Sequence, residues 1–306
     1  MKKFVAILLT LMLVLGIGAA VAEGTSLTDA SFKKVYAQEG GTAPATTFTF
    51  TAVADGSDDG ATGNGPALTI SNVEATGANT YTAKISPVDD FPTVGKYYYN
   101  VSETQGNVAG ITYDASALYL MVLVTTDDAG TLTPSYYLYT DSNKTAKKDG
   151  FTNTYQAGTL KVTKKVTGNL GDKKKEFDFT VTFTKPEGKD WNMDGIGLPE
   201  GATKVSDGVY SFKLKHDTMA EFKNLPYDVK YEVKEADYST NEGYTTTSDK
   251  AEGIIKAAET TAAFTNDKGG QIDTGVTTES LPYVVLMGFV VLAGAALLLK
   301  RKAHNN

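Results

Sequence analysis

The sequence contains no cysteine, only two histidines and a single arginine among its 306 residues. Without cysteine there can be no disulfide, no thiolate nucleophile and no zinc–cysteine site. His216 and His304 lie far apart along the chain, so histidine-based metal or triad chemistry lacks its residues, and we expect no metal and no cofactor. Arg301 is the only arginine, and therefore the only side chain that could bind a phosphate group through two parallel hydrogen bonds. The net charge of the chain is −7. Nucleic-acid binding is therefore not expected.

Both ends of the chain have the features of targeting segments. Residues 1–22 combine a basic start, an apolar stretch and a final Ala-Val-Ala, a pattern typical of a cleaved secretory signal peptide. Residues 281–299 carry no charge and are long enough to span a bilayer as a transmembrane segment, and the basic tail at 300–306 is expected to be cytoplasmic. We therefore expect residues 23–280 to lie outside the cell. The segment 23–274 has 24 lysines against 35 acidic residues, a net charge of −11.

Between these ends the chain contains two copies of one strand pattern. Short runs rich in Val, Ile, Thr, Tyr and Phe alternate with turn residues, and their period of two predicts β-sandwiches rather than a parallel α/β sheet. Three motifs recur in the same order: Phe32–Tyr36, Tyr99–Glu103 and Phe151–Asn153, then Leu160–Val166, Tyr231–Glu235 and Phe264–Asn266. We predict an all-β protein with two tandem sandwich domains, 26–155 and 157–268, joined at 156–158 and followed by a spacer at 269–280.

Each copy is expected to bury a lysine, a glutamate and an asparagine. Residues two apart on a strand share a face, so the apolar neighbours at that spacing fix the direction of each polar side chain. The inward-facing polar residues are Lys34, Glu103 and Asn153 in the first copy and Lys164, Glu235 and Asn266 in the second. Lys33, Lys161 and Lys165 fall on the opposite face. Charged side chains are almost never fully buried without partners, so the three residues of each copy should lie together.

Two interpretations of these buried residues are open. In an apolar setting the pKa of the lysine falls and the pKa of the glutamate rises, so the pair can exist as a neutral amine and a neutral acid. The amine can then attack the asparagine amide while the acid polarises the carbonyl and relays protons, which releases ammonia and leaves a Lys–Asn isopeptide bond. The alternative is a buried Lys–Glu ion pair with a hydrogen-bonded asparagine. Recurrence of all three residues at matched positions favours the covalent interpretation.

The motifs resemble those of Gram-positive sortase-assembled major (shaft) pilins with two isopeptide domains. The resemblance is carried by the Tyr-Tyr-Tyr-x-Val-x-Glu run that ends at Glu103, the segment Gly110–Asp114, the Leu-x-Val-x-Lys-Lys-Val-x-Gly run at 160–168 and the two Phe-Thr-Asn strand ends. It implies that both sandwiches are immunoglobulin-like. The implied bonds join Lys34 to Asn153, with Glu103 as the catalytic acid, and Lys164 to Asn266, with Glu235 in that role.

The segments that follow residue 268 have the order of a sortase substrate, which is a short motif, an apolar span and a basic tail. The familiar pentapeptide Leu-Pro-x-Thr-Gly is replaced by Gln-Ile-Asp-Thr-Gly at 271–275, so cleavage is expected between Thr274 and Gly275. The atypical flank suggests a dedicated pilus-type sortase. The alternative is an ordinary single-pass anchored protein in which Asp-Thr-Gly is only a spacer turn.

Polymerisation of such a pilin needs a lysine that accepts the Thr274 carboxyl group of a neighbouring subunit. Three candidates, Lys144, Lys147 and Lys148, lie in a polar segment shortly before Asn153. The spacing from Tyr139 favours Lys144, whereas the other two lie nearer the spacing expected from Asn153. A solvated charged loop is the commoner use of such a run.

The sequence therefore predicts a structural shaft subunit of a covalently polymerised pilus, secreted and linked to the peptidoglycan of the cell wall after a transient stay in the membrane. The expected partners are a sortase, other copies of the chain in a head-to-tail polymer, and minor pilins. The alternative is a wall-anchored adhesin or minor pilin that binds a host ligand without polymerising. No enzymatic activity is expected beyond one internal reaction in each domain.

Overall fold

The computed structural model describes residues 28–87 and 90–270, and this part of the chain is built from β-strands. The strands are β1 (Ser31–Glu39), β2 (Thr46–Phe48), β3 (Phe50–Asp58), β4 (Thr69–Ile70), β5 (Val73–Ala75), β6 (Asn79–Ser86), β7 (Gly95–Glu103), β8 (Ile111–Thr112), β9 (Leu118–Thr126), β10 (Leu132–Tyr139), β11 (Gly150–Thr167), β12 (Phe177–Thr184), β13 (Thr203–Ser206), β14 (Val209–Leu214), β15 (Thr218–Pro226), β16 (Lys230–Glu235), β17 (Thr245–Asp249), β18 (Glu252–Ile254) and β19 (Glu259–Asp267). One short helix, α1 (Ser239–Glu242), and 3-10 turns at Thr28–Ala30 and Met193–Gly195 are the helical elements of these residues. The all-β prediction is confirmed.

The targeting segments predicted at the two ends lie outside the described residues. These are the signal peptide at 1–22, the apolar span at 281–299 and the basic tail at 300–306. Within residues 28–87 and 90–270, no helix is long and apolar enough to cross a membrane.

The first sandwich packs two sheets around an aromatic core. One sheet has the order β4-β6-β1-β11, with β8 also on β11, and the other has the order β10-β9-β7-β3. Alternate residues of each strand point inward, because the period of a strand is two. Phe32 and Phe151 of the first sheet contact Phe50 of the second, with ring centroids 5.2 and 5.5 Å from it. Both sheets therefore bury their apolar faces in one core.

The second sandwich repeats this arrangement with a different set of strands. One sheet contains β17-β19-β11, with β15 on the other side of β11, and the facing sheet has the order β13-β14-β12-β16-β18. Phe179 of β12 meets Phe264 of β19 edge to face, with ring centroids 5.2 Å apart. Phe183 packs in the same way on Phe222 of β15 at 5.5 Å.

Strand β11 belongs to both sandwiches, so the segment predicted as a joint at 156–158 lies inside one strand of 18 residues. After Gly150, which is also buried, the buried positions are 151, 153, 155 and 157 in its first half but 158, 160, 162, 164 and 166 in its second half. The inward face therefore changes from odd to even residues at Gly158, where the pairing with β15 also shifts register. The extra residue of this irregularity lies on β15, between Phe222 and Leu225. Because alternate residues of a strand point to opposite faces, the change from odd to even positions lets one continuous strand bury side chains in two different cores.

The first and last strands of each domain lie side by side and run parallel. In the first domain β1 pairs with β11, and in the second β11 pairs with β19. Parallel neighbours cannot be joined by a tight turn, and here the whole domain forms the connection. The first and last strands of each domain are thus held together by the backbone hydrogen bonds between these two strands and by contacts of their side chains.

Loops away from β11 also connect the two domains. The backbone N–H of Ala109 donates to the carbonyl of Asp190 over 2.8 Å, and the N–H of Asp190 donates to the carbonyl of Asn107 at the same distance. The side-chain oxygen of Asn224 accepts from the N–H of Thr42 at 2.9 Å. The two domains are therefore also joined by hydrogen bonds between loops, in addition to the shared strand.

Gly158 provides a test of the face change in β11. A Cβ added at this position would overlap the carbonyl oxygen of Ala257, which is backbone and cannot move aside alone. We expect Gly158→Ala to destabilise the second domain by about 1–3 kcal/mol, the usual cost of overpacking, and to lower its Tm by several degrees in a thermal scan. Gly77→Ala is the control, because its added Cβ would stay 3.7 Å from its nearest neighbour, the carbonyl oxygen of Ala43. Equal Tm values for the two variants would contradict this account of the joint.

Candidate functional site

The register of the paired strands sets each lysine beside the predicted asparagine. Lys34 on β1 is opposite Phe151 on β11, so Asn153 is two residues further along and on the same face. Lys164 on β11 is opposite Phe264 on β19, so Asn266 has the same offset. Residues two apart share a face of the sheet, which places each asparagine diagonally next to its lysine.

The glutamates come from the facing sheet of each sandwich. Glu103 is the last residue of β7 and Glu235 is the last residue of β16. Both strands point their alternate residues into the core, and the terminal glutamate continues the inward row of Tyr99 and Val101 in β7. The structure thus brings together the three polar residues that the sequence placed on the inner face of each copy.

In the first domain the Glu103 carboxylate bridges the two other side chains. Lys34 Nζ donates to Glu103 Oε2 at 2.6 Å, and Asn153 Nδ2 donates to Glu103 Oε1. Lys34 and Asn153 have no accessible surface. The amine also lies 4.4 Å from the centroid of the Phe48 ring. One carboxylate therefore holds the amine and the amide together in a site closed to water.

The second domain has the same bridge. Lys164 Nζ donates to both carboxylate oxygens of Glu235, at 2.6 and 2.8 Å, and Asn266 Nδ2 donates to Glu235 Oε1 at 2.7 Å. The rings of Phe177 and Phe179 lie 4.4 and 5.7 Å from the amine. The Glu235 side chain is 2% exposed.

In both domains, burial changes the pKa values of the lysine and the glutamate in the direction that favours transfer of a proton from the lysine to the glutamate. Desolvation lowers the pKa of Lys34 and Lys164, against the hydrogen bond to the carboxylate that opposes the shift. Desolvation likewise raises the pKa of Glu103 and Glu235, against the bonds from their lysines. A proton that moves from ammonium to carboxylate leaves a neutral amine, which is a nucleophile, and a neutral acid, which can donate to a carbonyl or to a leaving group.

The two copies differ at the amide oxygen of the asparagine. Asn153 Oδ1 accepts a hydrogen bond of 2.7 Å from the backbone N–H of Asp114. Asn266 Oδ1 is buried and has no hydrogen-bond donor among the described residues. Sequence reasoning did not find this donor, because a backbone N–H leaves no mark in the pattern of side chains. The only signal was the segment Gly110–Asp114, which carried the family resemblance without an assigned role.

The three candidate acceptor lysines have different surroundings. Lys148 Nζ is 3.0 Å from Asp114 Oδ2 and 3.1 Å from Ser116 Oγ, and its side chain is 29% exposed. Lys144 is half-buried, with its amine 4.0 Å from the centroid of the Tyr98 ring. Lys147 is exposed and forms no ion pair with the described residues, although its amine rests 4.6 Å from the Tyr137 ring.

The predicted cleavage site, Thr274 and Gly275, lies outside the described residues. Within residues 28–87 and 90–270, no cluster of histidine, aspartate or glutamate is suited to hold a metal ion. His216 contributes to the second sandwich instead, where its Nδ1 accepts from the N–H of Val166 at 3.0 Å.

Two family models match successive parts of the chain. Residues 30–156 match the Spy0128-like isopeptide containing domain, and residues 158–268 match a domain of unknown function (DUF7601). Both matches meet at residue 157, within β11.

Individual relatives come from Streptococcus pyogenes. A protein named Pilin from serotype M1 is 30% identical over 262 residues, which cover 77% of this chain and 76% of that protein. The pilus tip adhesin Cpa is 32% identical over 125 residues, which cover 39% of this chain and 18% of the adhesin. The crystal structure of a point mutant of the S. pyogenes major pilin aligns with a TM-score of 0.57 and 26% identity, covering 81% of this chain and 100% of the pilin.

Proposed function

This chain belongs to the pilin family, in the branch of isopeptide-containing shaft subunits, and from that membership we propose that it is the repeating subunit of a covalently polymerised, cell-wall-linked pilus. The observation that carries the proposal is the carboxylate that bridges a lysine amine on the first strand and an asparagine amide on the last strand, in both domains. Each site is then the place of one Lys–Asn isopeptide bond, between Lys34 and Asn153 and between Lys164 and Asn266.

Bond formation needs no reagent beyond these side chains. The lysine Nζ, once its proton has moved to the glutamate, attacks Cγ of the asparagine and forms the new C–N bond. The glutamate returns a proton to Nδ2, the bond from Cγ to Nδ2 breaks, and ammonia leaves. As ammonia leaves, the nitrogen of the new bond gives its extra proton to the glutamate, so Glu103 and Glu235 each act once and end as neutral acids. Both charges of the pair are removed from the core, which relieves the cost of burying them.

The bonds would suit a subunit that carries tension. Stretching a domain by its two ends loads the ladder between its parallel first and last strands, because these strands hold the ends. A covalent bond between the same two strands takes this load in place of the hydrogen bonds. It also reduces the entropy of the unfolded chain, as a disulfide does, in a protein that has no cysteine.

Assembly would use the segments at the two ends of the chain. A signal peptide at 1–22 would direct secretion, and the span at 281–299 with the tail at 300–306 would hold the subunit in the membrane for a sortase. Cleavage between Thr274 and Gly275 would transfer Thr274 to a lysine of the next subunit, and the last subunit to peptidoglycan. Head-to-tail joining of this type is heterologous and does not close, so it gives a filament, to which minor pilins can be added.

Among the candidate acceptor lysines, exposure favours Lys147. A sortase must reach the amine, and Lys148 is held by Asp114 and Ser116 while Lys144 is half-buried against Tyr98. The exposed Lys147 would have to give up only its cation–π contacts with the rings of Tyr137 and Tyr139, and such a contact is worth about 0.5–1 kcal/mol at an exposed site. The spacing from Tyr139, which favours Lys144 in the sequence, does not take this difference in contacts into account.

The alternative role, a wall-anchored adhesin or minor pilin, has less support. The match to Pilin spans both sandwiches, whereas the match to the tip adhesin Cpa spans 39% of this chain and 18% of the adhesin.

The internal bonds are tested by the mass of residues 23–274, which we expect to be two ammonia masses below the sequence mass. Glu235→Ala should reduce the deficit to one, because Lys164 and Asn266 lose their proton relay. The matched control is Glu232→Ala on the same strand, whose side chain is 45% exposed and which should keep both bonds. A full deficit in Glu235→Ala, or none in the unaltered protein, would contradict the assignment.

Assembly is tested by denaturing gels of cell-wall extracts. We expect a ladder from the unaltered chain and from Lys148→Ala, but only wall-linked monomer from Lys147→Ala, with both internal bonds retained. A normal ladder from Lys147→Ala would move the assignment to Lys144. Polymerisation of the variant that lacks all three lysines would place the acceptor elsewhere, and a single band from the unaltered chain would support the adhesin role.

A further inference from the structure

The first domain contains a hydrogen-bond donor at the reacting amide that the second domain lacks. The backbone N–H of Asp114 lies 2.7 Å from Asn153 Oδ1, the atom on which negative charge develops when an amine adds to the amide carbon. Asn266 Oδ1, the corresponding atom of the second domain, is buried without such a donor among the described residues. The lysine, the glutamate and the strand offset are shared. Besides this donor, the hydrogen bonds differ in that Lys164 donates to both oxygens of its glutamate and Lys34 to only one.

The Asp114 side chain fixes the direction of that N–H. Its Oδ2 accepts from the backbone N–H of Thr152 and from Lys148 Nζ, both at 3.0 Å, and its Oδ1 accepts from the N–H of Ser116 at 3.0 Å and from the Ser116 hydroxyl. Thr152 directly precedes Asn153 on β11. The carboxylate therefore fastens its own loop to the strand next to the reacting asparagine.

This carboxylate stays charged under physiological conditions. Burial by itself would raise the pKa of Asp114, but the hydrogen bonds from Ser116 and Thr152 and the bond from Lys148 outweigh it and lower the pKa to about 2. A charge-assisted acceptor binds backbone N–H groups more strongly than a neutral one, so the loop is held tightly at neutral pH.

We propose that Asp114 is a further catalytic residue of the first domain, whose backbone N–H stabilises the oxyanion at Asn153 Oδ1 while its carboxylate, paired with Lys148, positions that N–H. The inference rests on the proposed isopeptide reaction and adds a step to it. When Lys34 Nζ bonds to Asn153 Cγ, the carbonyl electrons move to Oδ1 and are met by the N–H of Asp114. They return to the carbonyl as Nδ2 takes its proton from Glu103 and leaves as ammonia.

The role has a kinetic consequence within one molecule. Loss of a single oxyanion donor typically slows a reaction by about 10²–10³-fold. We therefore expect the bond between Lys34 and Asn153 to form faster than the bond between Lys164 and Asn266. It also gives Lys148 a structural role, separate from that of the exposed Lys147.

The test follows both bonds in the full chain after a short pulse of cell-free synthesis. Samples are denatured at intervals, and the branched tryptic peptides of the two domains are quantified by mass spectrometry. Asp114→Ala keeps the backbone N–H but removes the carboxylate that holds it in position. We therefore expect the first-domain bond to form at least about tenfold more slowly, a smaller effect than the complete loss of an oxyanion donor. The second-domain bond serves as the internal control and should be unchanged. Asp149→Ala, which removes a carboxylate that is 79% exposed, should leave both rates unchanged.

A folding defect is separated from a catalytic one by an amine-acylating reagent. If the first domain of Asp114→Ala is folded but unlinked, Lys34 stays unlabelled in the native protein and is labelled after denaturation. An unchanged first-domain rate in a variant with protected Lys34 overturns the inference. If Lys34 is labelled in the native variant, Ser116→Ala decides, because it keeps the bond from Thr152: a slower first-domain bond supports the inference and an unchanged one overturns it. Absence of both branched peptides from the unaltered chain would instead refute the isopeptide reaction itself.

Discussion

Each domain buries a lysine amine and a glutamate carboxylate among phenylalanine rings, and neither charge could remain there alone. Uncompensated, a buried charge costs several kcal/mol, so the carboxylate must reach the amine and the rest of the site must be arranged around it. The glutamate must therefore lie next to the paired first and last strands of its domain. This places the end of β7 in the first domain, and the end of β16 in the second, against those two strands. It also sets the two-residue offset that brings the asparagine amide to the same carboxylate.

Both sites share strand β11, which contributes Asn153 to the first and Lys164 to the second. With both proposed bonds formed, a covalent path enters at Lys34, crosses to β11, follows about ten residues of that strand and crosses to β19. Most of each sandwich lies outside this path. The change of inward face at Gly158 is what allows one strand to present an asparagine to one core and a lysine to the next.

Much of this arrangement could be predicted from the sequence. Residues two apart on a strand share a face, so apolar residues at that spacing show that the polar residue between or beside them also points inward. Alternation placed Lys34 and Glu103 on the inner face, and the repeat pointed to the same residues in the second copy. The continuity of β11 was not predicted, since Ala157 and Gly158 interrupt the alternation and look like a joint. The Asp114 donor was not predicted either, because it is a backbone group brought to Asn153 by long-range packing.

The most direct test of the covalent account is the extension of single molecules pulled from their two ends. With both bonds in place, the residues between each bonded pair are shielded from the force, and the account predicts no stepwise lengthening when the domains are loaded. If the sites are only ion pairs, each domain can unravel, and about 100–120 residues at roughly 3.5 Å each would give steps of roughly 350–420 Å. Two such steps per molecule would contradict the account.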